Sequence, residues 1–529
     1  MSRQTDEQRY EGLSPFELKN KLISMASSPG EQMMLNAGRG NPNWVAIAPR
    51  QAFLTLGQFA MTETERTLIR DGFGGPPEKA GAGDRLDAFL SKAGSDPGAA
   101  ALHTCIAHAR ETLGLEYDEL VYEFVDGMLG DHYPTPDRML VNCERIVSAY
   151  LAREMCGGSW PSGSFDLFAT EGGTAAMAYV FASLMENKLL HKGDSIAIGT
   201  PVFTPYLEIP ELNDFNFVEV DICQDESAGW DYPASEIEKL ADPQIKAFFI
   251  VHPSNPTSRA LRPETLNALK DLVTTKRQDL IILTDDVYGT FVNDFRSVAS
   301  VLPHNTILVY SFSKYFGATG WRLGVIGLHE DNALDRAIAN LPEQDRSALR
   351  ERYHEVFLDP ESTKLIDRMV ADSRTVALHH TAGLSTPQQV FMALLSLSSL
   401  ADSGGTYKAA AQSIVRDRSR LLYDAIGLTP PDEPNDAHYY TTIDIPRLAK
   451  QRYDEAFANH LAHDFEPIDF VWRLASEKSV VLMDGGGFDA PRMSVRVSLA
   501  NLDDAAYTTI GRAISDLLDE YHAQWSAGT

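Results

Sequence analysis

No run of apolar residues in this chain of 529 approaches the length a bilayer span needs. The opening stretch, Met1 to Tyr10, also lacks the apolar centre of a secretory signal, and together these absences predict a cytoplasmic protein. Cysteine is scarce: Cys105, Cys143, Cys156 and Cys223 stand far apart without metal-ligand spacing, so they read as reduced and mostly structural thiols. Positive charge is in deficit, with 46 basic against 74 acidic residues and a net charge of -28. That balance disfavours nucleic acid and anionic membranes as partners. Internal repeats and low-complexity tracts are missing too. What remains is an ordinary soluble composition, 44% hydrophobic and 23% charged. The length suits roughly two or three domains.

Ser14-Pro15-Phe16-Glu17 is a capping box with proline at the first helical position, and it predicts an amphipathic helix to about Ser27. Leu35 to Trp44 is a Gly/Asn/Pro-rich turn that contains Gly38, Arg39 and Gly40. Helical patterns fill residues 45 to 120, broken at Gly72 to Pro77. From about residue 165 short apolar runs alternate with helical ones: Phe165 to Ala169, Ser195 to Ile198, Ala247 to Val251, Leu280 to Leu283 and Thr306 to Tyr310. Near-continuous apolar strands separated by helices predict an α/β fold, with a mostly parallel sheet covered on both faces and sites at the strands' carboxyl ends. A charged helical stretch follows from about Leu328 to Ser373. The last third predicts a smaller α+β domain, with strands at His438 to Asp444, Ser479 to Met483 and Met493 to Ser498 and a closing helix from about Leu502. The domain reading is an N-terminal segment to about 120, a large α/β domain over 121–385 and a small domain over 386–529.

A polar cluster follows each strand. Thr306 to Tyr310 runs into Ser311, Ser313, Lys314 and Arg322; a lysine just past a buried strand is partly desolvated and suited to Schiff-base chemistry, and the serines and arginine could grip a phosphate. Gly172, Gly173 and Thr174 open a helix, whose free amides also suit a phosphate. Phe203 could stack on a planar ring. Asn255 could bond a phenolic oxygen, Asp285 could keep a pyridine nitrogen protonated, and Tyr288 could reach a ring hydroxyl. Arg496, alone in a β-pattern, is costly to bury unless it meets an anion. Each feature by itself also reads as a turn, a helix start or a solvated charge. Their joint order is what carries weight.

With these motifs in this order, the chain resembles the aspartate aminotransferase-like family of fold type I pyridoxal phosphate enzymes from about residue 30 onward. The resemblance implies a large domain with a seven-stranded-type sheet and a helical insertion at about 328–374. It implies pyridoxal 5'-phosphate as cofactor and Lys314 as the Schiff-base lysine. It further implies Asp285 against the ring nitrogen, Tyr288 and Asn255 on the ring hydroxyl, and Ser311 and Arg322 on the phosphate. Arg496 takes the place of the clamp for the substrate α-carboxylate. Tyr133, in Asp131-His132-Tyr133-Pro134, resembles the tyrosine that crosses to a neighbouring subunit's cofactor. A homodimer is implied as the smallest active unit, with larger assembly, to a dodecamer, as a further expectation.

Two departures bear on the reaction. Dicarboxylate aminotransferases place an arginine four residues before a Ser-Asn-Pro turn to hold the second carboxylate, whereas Ser385-Thr386-Pro387 here is preceded at that distance by Thr381. Extra residues also follow Trp44 and Leu328. Together with Leu482 to Phe488, these features resemble the aspartate 4-decarboxylase branch of the family. The expected reaction is removal of the β-carboxylate of L-aspartate as CO2, giving L-alanine, with aminotransferase side activity. A bidentate arginine stabilises a carboxylate as the anion and so opposes its departure as neutral CO2, which gives the Thr381 replacement a rationale. Arg39 is the candidate for a looser contact, a solvated or interface arginine being the other reading. The alternatives are an aminotransferase for aspartate or another amino acid and, less compatible with the acidic chain, a non-enzymatic regulator on the same fold.

Overall fold

Seven strands, mostly apolar and buried, build the central sheet of this computed structural model, which describes residues 10, 13, 15–26, 34–207, 217–374 and 383–528. They are β2 (Phe165–Thr170), β3 (Ser195–Thr200), β4 (Val218–Cys223), β5 (Ile245–Val251), β6 (Ile281–Asp285), β7 (Thr306–Ser311) and β8 (Gly324–His329), after a short N-terminal β1 (Leu35–Asn36). Their order across the sheet is β2-β8-β7-β6-β5-β3-β4, and only β8 runs against its neighbours. β6, β7 and β8 are buried along their whole length, as strands covered on both faces must be. The register aligns Val251 with Asp285 and Asp285 with Val309, and Ser311 pairs with Gly324, which pairs with Thr170. One edge of the sheet therefore gathers the ends of β2, β5, β6 and β7 with the start of β8. The sequence reading omitted β4, whose Val-Glu-Val-Asp-Ile-Cys pattern is half exposed, and β8, which lies within a Gly-rich stretch.

A second sheet of three antiparallel strands, β11 (Met483–Asp484), β12 (Ser494–Ser498) and β9 (Tyr440–Asp444), stands beside this edge. The single strand predicted over Ser479 to Met483 is in fact two. β10 (Val480–Val481) pairs in parallel with β1, and the chain then passes buried Leu482 to join β12 as β11. The strand predicted from His438 begins at Tyr440, because His438 has a left-handed backbone (φ 50°) that does not continue a ladder.

Helices cover both faces. Pro15–Ala26, beginning where the capping box predicts, packs on Asp469–Lys478 and β10. Ile47–Arg66, Pro97–Glu111 and Tyr117–Leu129 form a helical layer, closed by Thr386–Ala401, which is apolar nearly all round and correspondingly buried. Ala333–Ala339, Glu343–Tyr353 and Leu365–Asp372 make up the charged stretch after β8. Among the described residues no helix is long and apolar enough to cross a membrane.

Candidate active site

A cavity of about 460 Å3 opens where the strand ends, the small sheet and the turn after β1 converge. Its walls include Lys314, Asp285, Tyr288, Asn255, Phe203, Gly173, Thr174, Ser311, Ser313, Arg322, Arg496, Gly38 and Arg39, so most residues singled out in the sequence meet in one place.

Lys314, half-buried, donates to the Gly40 carbonyl at 3.1 Å. Tyr439 donates to the same oxygen at 2.9 Å. Asp285 is buried at the end of β6, where its Oδ2 accepts from Tyr206 Oη at 2.7 Å and its Oδ1 from the Val287 amide at 3.2 Å. Burial pushes its carboxyl above the ordinary range, while the bonds from Tyr206 and Val287 and the charge of Lys314 pull the other way. An acid so placed suits a cationic ring nitrogen. Tyr288 and Tyr440 share a hydrogen bond of 2.9 Å between their hydroxyls.

Beside β7, the Ser311 hydroxyl donates to Ser313 Oγ at 2.9 Å, and Arg322 holds the Thr319 carbonyl at 3.0 Å. Gly172 takes φ 97° directly before helix Gly173–Glu186, and a Cβ there would run into the Arg322 guanidinium. That helix start has no side-chain cap, so its first amides, two serine hydroxyls and a guanidinium border one end of the cavity, a donor set that fits a phosphate.

At the other end Arg496 is 2% exposed. Its Nη1 donates to Asn255 Oδ1 at 3.2 Å and its Nη2 to the Gly38 carbonyl at 2.7 Å, while Nε has no partner. The rings of Tyr440 and Phe488 lie 4.4 and 5.0 Å from the guanidinium. Burial lowers its proton affinity, and the neighbouring tyrosines oppose this. A buried guanidinium with no acidic partner and an idle N–H fits the carboxylate of a ligand.

Among the wall residues that the sequence reading did not single out are Tyr206, Tyr440 and Lys19. Tyr206 lies three residues past the noted Phe203, and that spacing was its only local signal. Lys19, on the N-terminal helix, has its proton affinity lowered by burial and by the charges of Arg39 and Arg496, which brings two cations to the cavity mouth. Arg39 itself is exposed. Tyr133 is not in the cavity of its own chain and is 59% exposed. Thr381 lies outside the described residues.

The model of class I and II aminotransferases matches residues 168–514. The chain belongs to the class I and II aminotransferase family. A bifunctional aspartate aminotransferase and L-aspartate beta-decarboxylase of a Pseudomonas species is 49% identical over 517 residues, 97% of each chain. An aspartate aminotransferase of Pyrococcus horikoshii is 30% identical over 154 residues, 28% of this chain and 38% of that one. Among solved structures, the aspartate aminotransferase of Rhizobium meliloti superposes with a TM-score of 0.61 over 96% of both chains at 15% identity, which establishes the aminotransferase fold. In family terms the fold is that of fold type I pyridoxal phosphate enzymes.

Two outcomes follow. Gly40 has no room for a side chain, because a Cβ there would meet the Tyr440 hydroxyl and crowd Lys314 Nζ. Gly40→Ala should therefore lower kcat/KM by on the order of a hundredfold in steady-state assays with little loss of thermal stability. Asp286, fully buried behind Asp285, accepts from Thr284 Oγ1 at 2.5 Å, and burial pushes its carboxyl up to about 8 from 3.8. The folded chain then holds a proton at Asp286 that the unfolded chain has lost, so this group's contribution to stability falls as pH rises from about 4 to about 8 and is level above. Asp286→Asn removes the titration. In thermal unfolding the variant should gain on the wild type as pH is raised across that window, and a difference independent of pH would contradict this.

Proposed function

We propose that this protein binds pyridoxal 5'-phosphate in the cavity and removes the β-carboxylate of L-aspartate as CO2, forming L-alanine, with transamination as a side activity. The observation that carries this reading is the asymmetry of the two anion-holding ends. Arg496 is a rigid, buried, half-satisfied clamp for one carboxylate. Exposed Arg39 and half-buried Lys19 stand at the other. The near full-length likeness to the bifunctional Pseudomonas enzyme supports the same reaction pair.

The bound cofactor supplies an electron sink conjugated to the substrate's α carbon. Around it the chain's own groups divide the work. Lys314 anchors the cofactor and, once displaced by substrate, takes and returns the proton at Cα. Asp285, whose anion the Tyr206 hydroxyl and the Val287 amide favour against its burial, holds a proton on the ring nitrogen. Asn255 gives its carbonyl to Arg496 and so keeps its amide protons for the ring hydroxyl, which Tyr288 also meets. Phe203 covers a ring face, and Ser311, Ser313, Arg322 and the amides of Gly173 and Thr174 hold the phosphate. Arg496 fixes the α-carboxylate with its idle Nε. The β-carboxylate, met at the cavity mouth by the side chains of Arg39 and Lys19, is oriented without the bidentate pairing that would stabilise it against leaving.

The working unit proposed is a homodimer or larger assembly in the cytoplasm. Supporting it, Tyr133 stands on the surface, and Ile47, Leu54 and Met61 of helix Ile47–Arg66 are each more than half exposed at seven-residue intervals, an apolar stripe suited to pairing with another chain. Light scattering should give a multiple of the 58.4 kDa chain, and a monomer would contradict the assembly.

Cofactor-loaded protein given L-aspartate and no 2-oxo acid should release alanine and CO2 in a ratio close to one. Sustained amino transfer that requires added 2-oxo acid, with little CO2, would instead identify an aspartate aminotransferase.

A further inference from the structure

Tyr440 lines the active-site cavity, yet the reaction proposed above leaves its hydroxyl without a task. The residue is 3% exposed and firmly placed. Its amide donates to Ser258 Oγ at 2.7 Å, and pairing with Ser498 fixes its backbone in β9. The rings of Tyr439 and Tyr288 pack edge-on against its own, with centroids 5.0 and 5.4 Å away. What it presents to the cavity is a phenol with two notable neighbours. Tyr288 Oη shares a hydrogen bond with it at 2.9 Å, and the guanidinium carbon of Arg496 lies 4.4 Å from the centre of its ring.

The hydroxyl also stands beside Lys314. A single Cβ atom on Gly40 would meet both Tyr440 Oη and Lys314 Nζ, so the two groups border one small volume. The guanidinium that clamps the α-carboxylate and the amine that works at Cα mark two points along a bound amino acid. Tyr440 touches on both, and its hydroxyl is therefore next to the carbons of the substrate.

A second acid is needed there. When the bond from Cβ to the departing carboxylate breaks, its electron pair is left to Cβ, which must take a proton to become the methyl group of alanine. Lys314 is occupied with the proton at Cα. Tyr206 commits its hydroxyl to Asp285 at 2.7 Å, Ser311 commits its own to Ser313 at 2.9 Å, and Tyr288 is assigned above to the ring hydroxyl.

We infer, on the reaction proposed above, that Tyr440 is the general acid that protonates Cβ, a role separate from that of Lys314 at Cα. The Tyr440 O–H bond breaks and a Cβ–H bond forms, and the electrons of the O–H bond stay on the phenolate oxygen. Tyr288 donates to that oxygen while Arg496 sets positive charge against the ring, so the phenolate is stabilised by both neighbours. Solvent then returns the proton. It is the proton that the overall reaction consumes in turning anionic aspartate into neutral alanine and CO2. A phenylalanine at this position would fill the same space and supply no proton.

A group that delivers a proton also removes it in the reverse direction, so L-alanine in D2O tests both carbons within one molecule. With the cofactor-loaded wild type, proton NMR should show loss of the Cα signal and of the methyl signal. In Tyr440→Phe the methyl exchange should fall by about a hundredfold while Cα exchange stays within about threefold of the wild type. Calorimetry should find succinate bound as in the wild type, which reports the fold and the Arg496 clamp independently of turnover. Methyl exchange that is absent from a wild type active at Cα, or that persists in Tyr440→Phe, would overturn the role. Methyl exchange that falls together with Cα exchange would also overturn it, because packing alone would then account for the loss. A wild type that exchanges neither carbon would overturn the reading of the cavity itself, and this role with it.

Discussion

The guanidinium of Arg496 is the constraint on which the rest of the site depends. A charge this deeply buried must be met by fixed acceptors, and the chain brings them from distant segments: the Gly38 carbonyl from the turn after β1, and Asn255 from the loop after β5. The small sheet, the large sheet and the N-terminal turn are thereby drawn to one point. The same turn presents Gly40, whose carbonyl holds Lys314 and Tyr439. The amides and hydroxyls at the helix start and buried Asp285 complete a cavity polar at both ends and aromatic between.

Much of this was legible in the sequence because buried parallel strands are hydrophobic along their length, so the first polar residues after each run stand out. Lys314, Asp285, Asn255 and Gly173 were found that way, and the register of β5, β6 and β7 brings the strand ends onto one edge. Tyr440, Tyr206 and Lys19 left weaker traces, since a tyrosine in a strand or a lysine on an amphipathic helix is ordinary until the fold places it. The half-exposed β4 and the divided strand at Val480–Val481 and Met483–Asp484 were missed or merged because pairing partners, which local patterns do not encode, decide where a strand ends.

Charge is distributed unevenly for a protein with a net of -28. The cations Lys19, Arg39, Lys314, Arg322 and Arg496 line one cavity, with Asp285 as the acid among them. The acidic surface around it is suited to solubility, while the cavity concentrates small anions. On the proposed function, the gradation from buried Arg496 to exposed Arg39 separates a carboxylate to be held from one free to depart.

The central claim is that this cavity is a single catalytic centre built on Lys314. Borohydride reduction of the pyridoxal phosphate-loaded protein, followed by peptide mass mapping, tests it most directly. The account predicts the cofactor covalently fixed to Lys314 alone, with labelling lost in Lys314→Arg. A label on another lysine, such as Lys19, would contradict it.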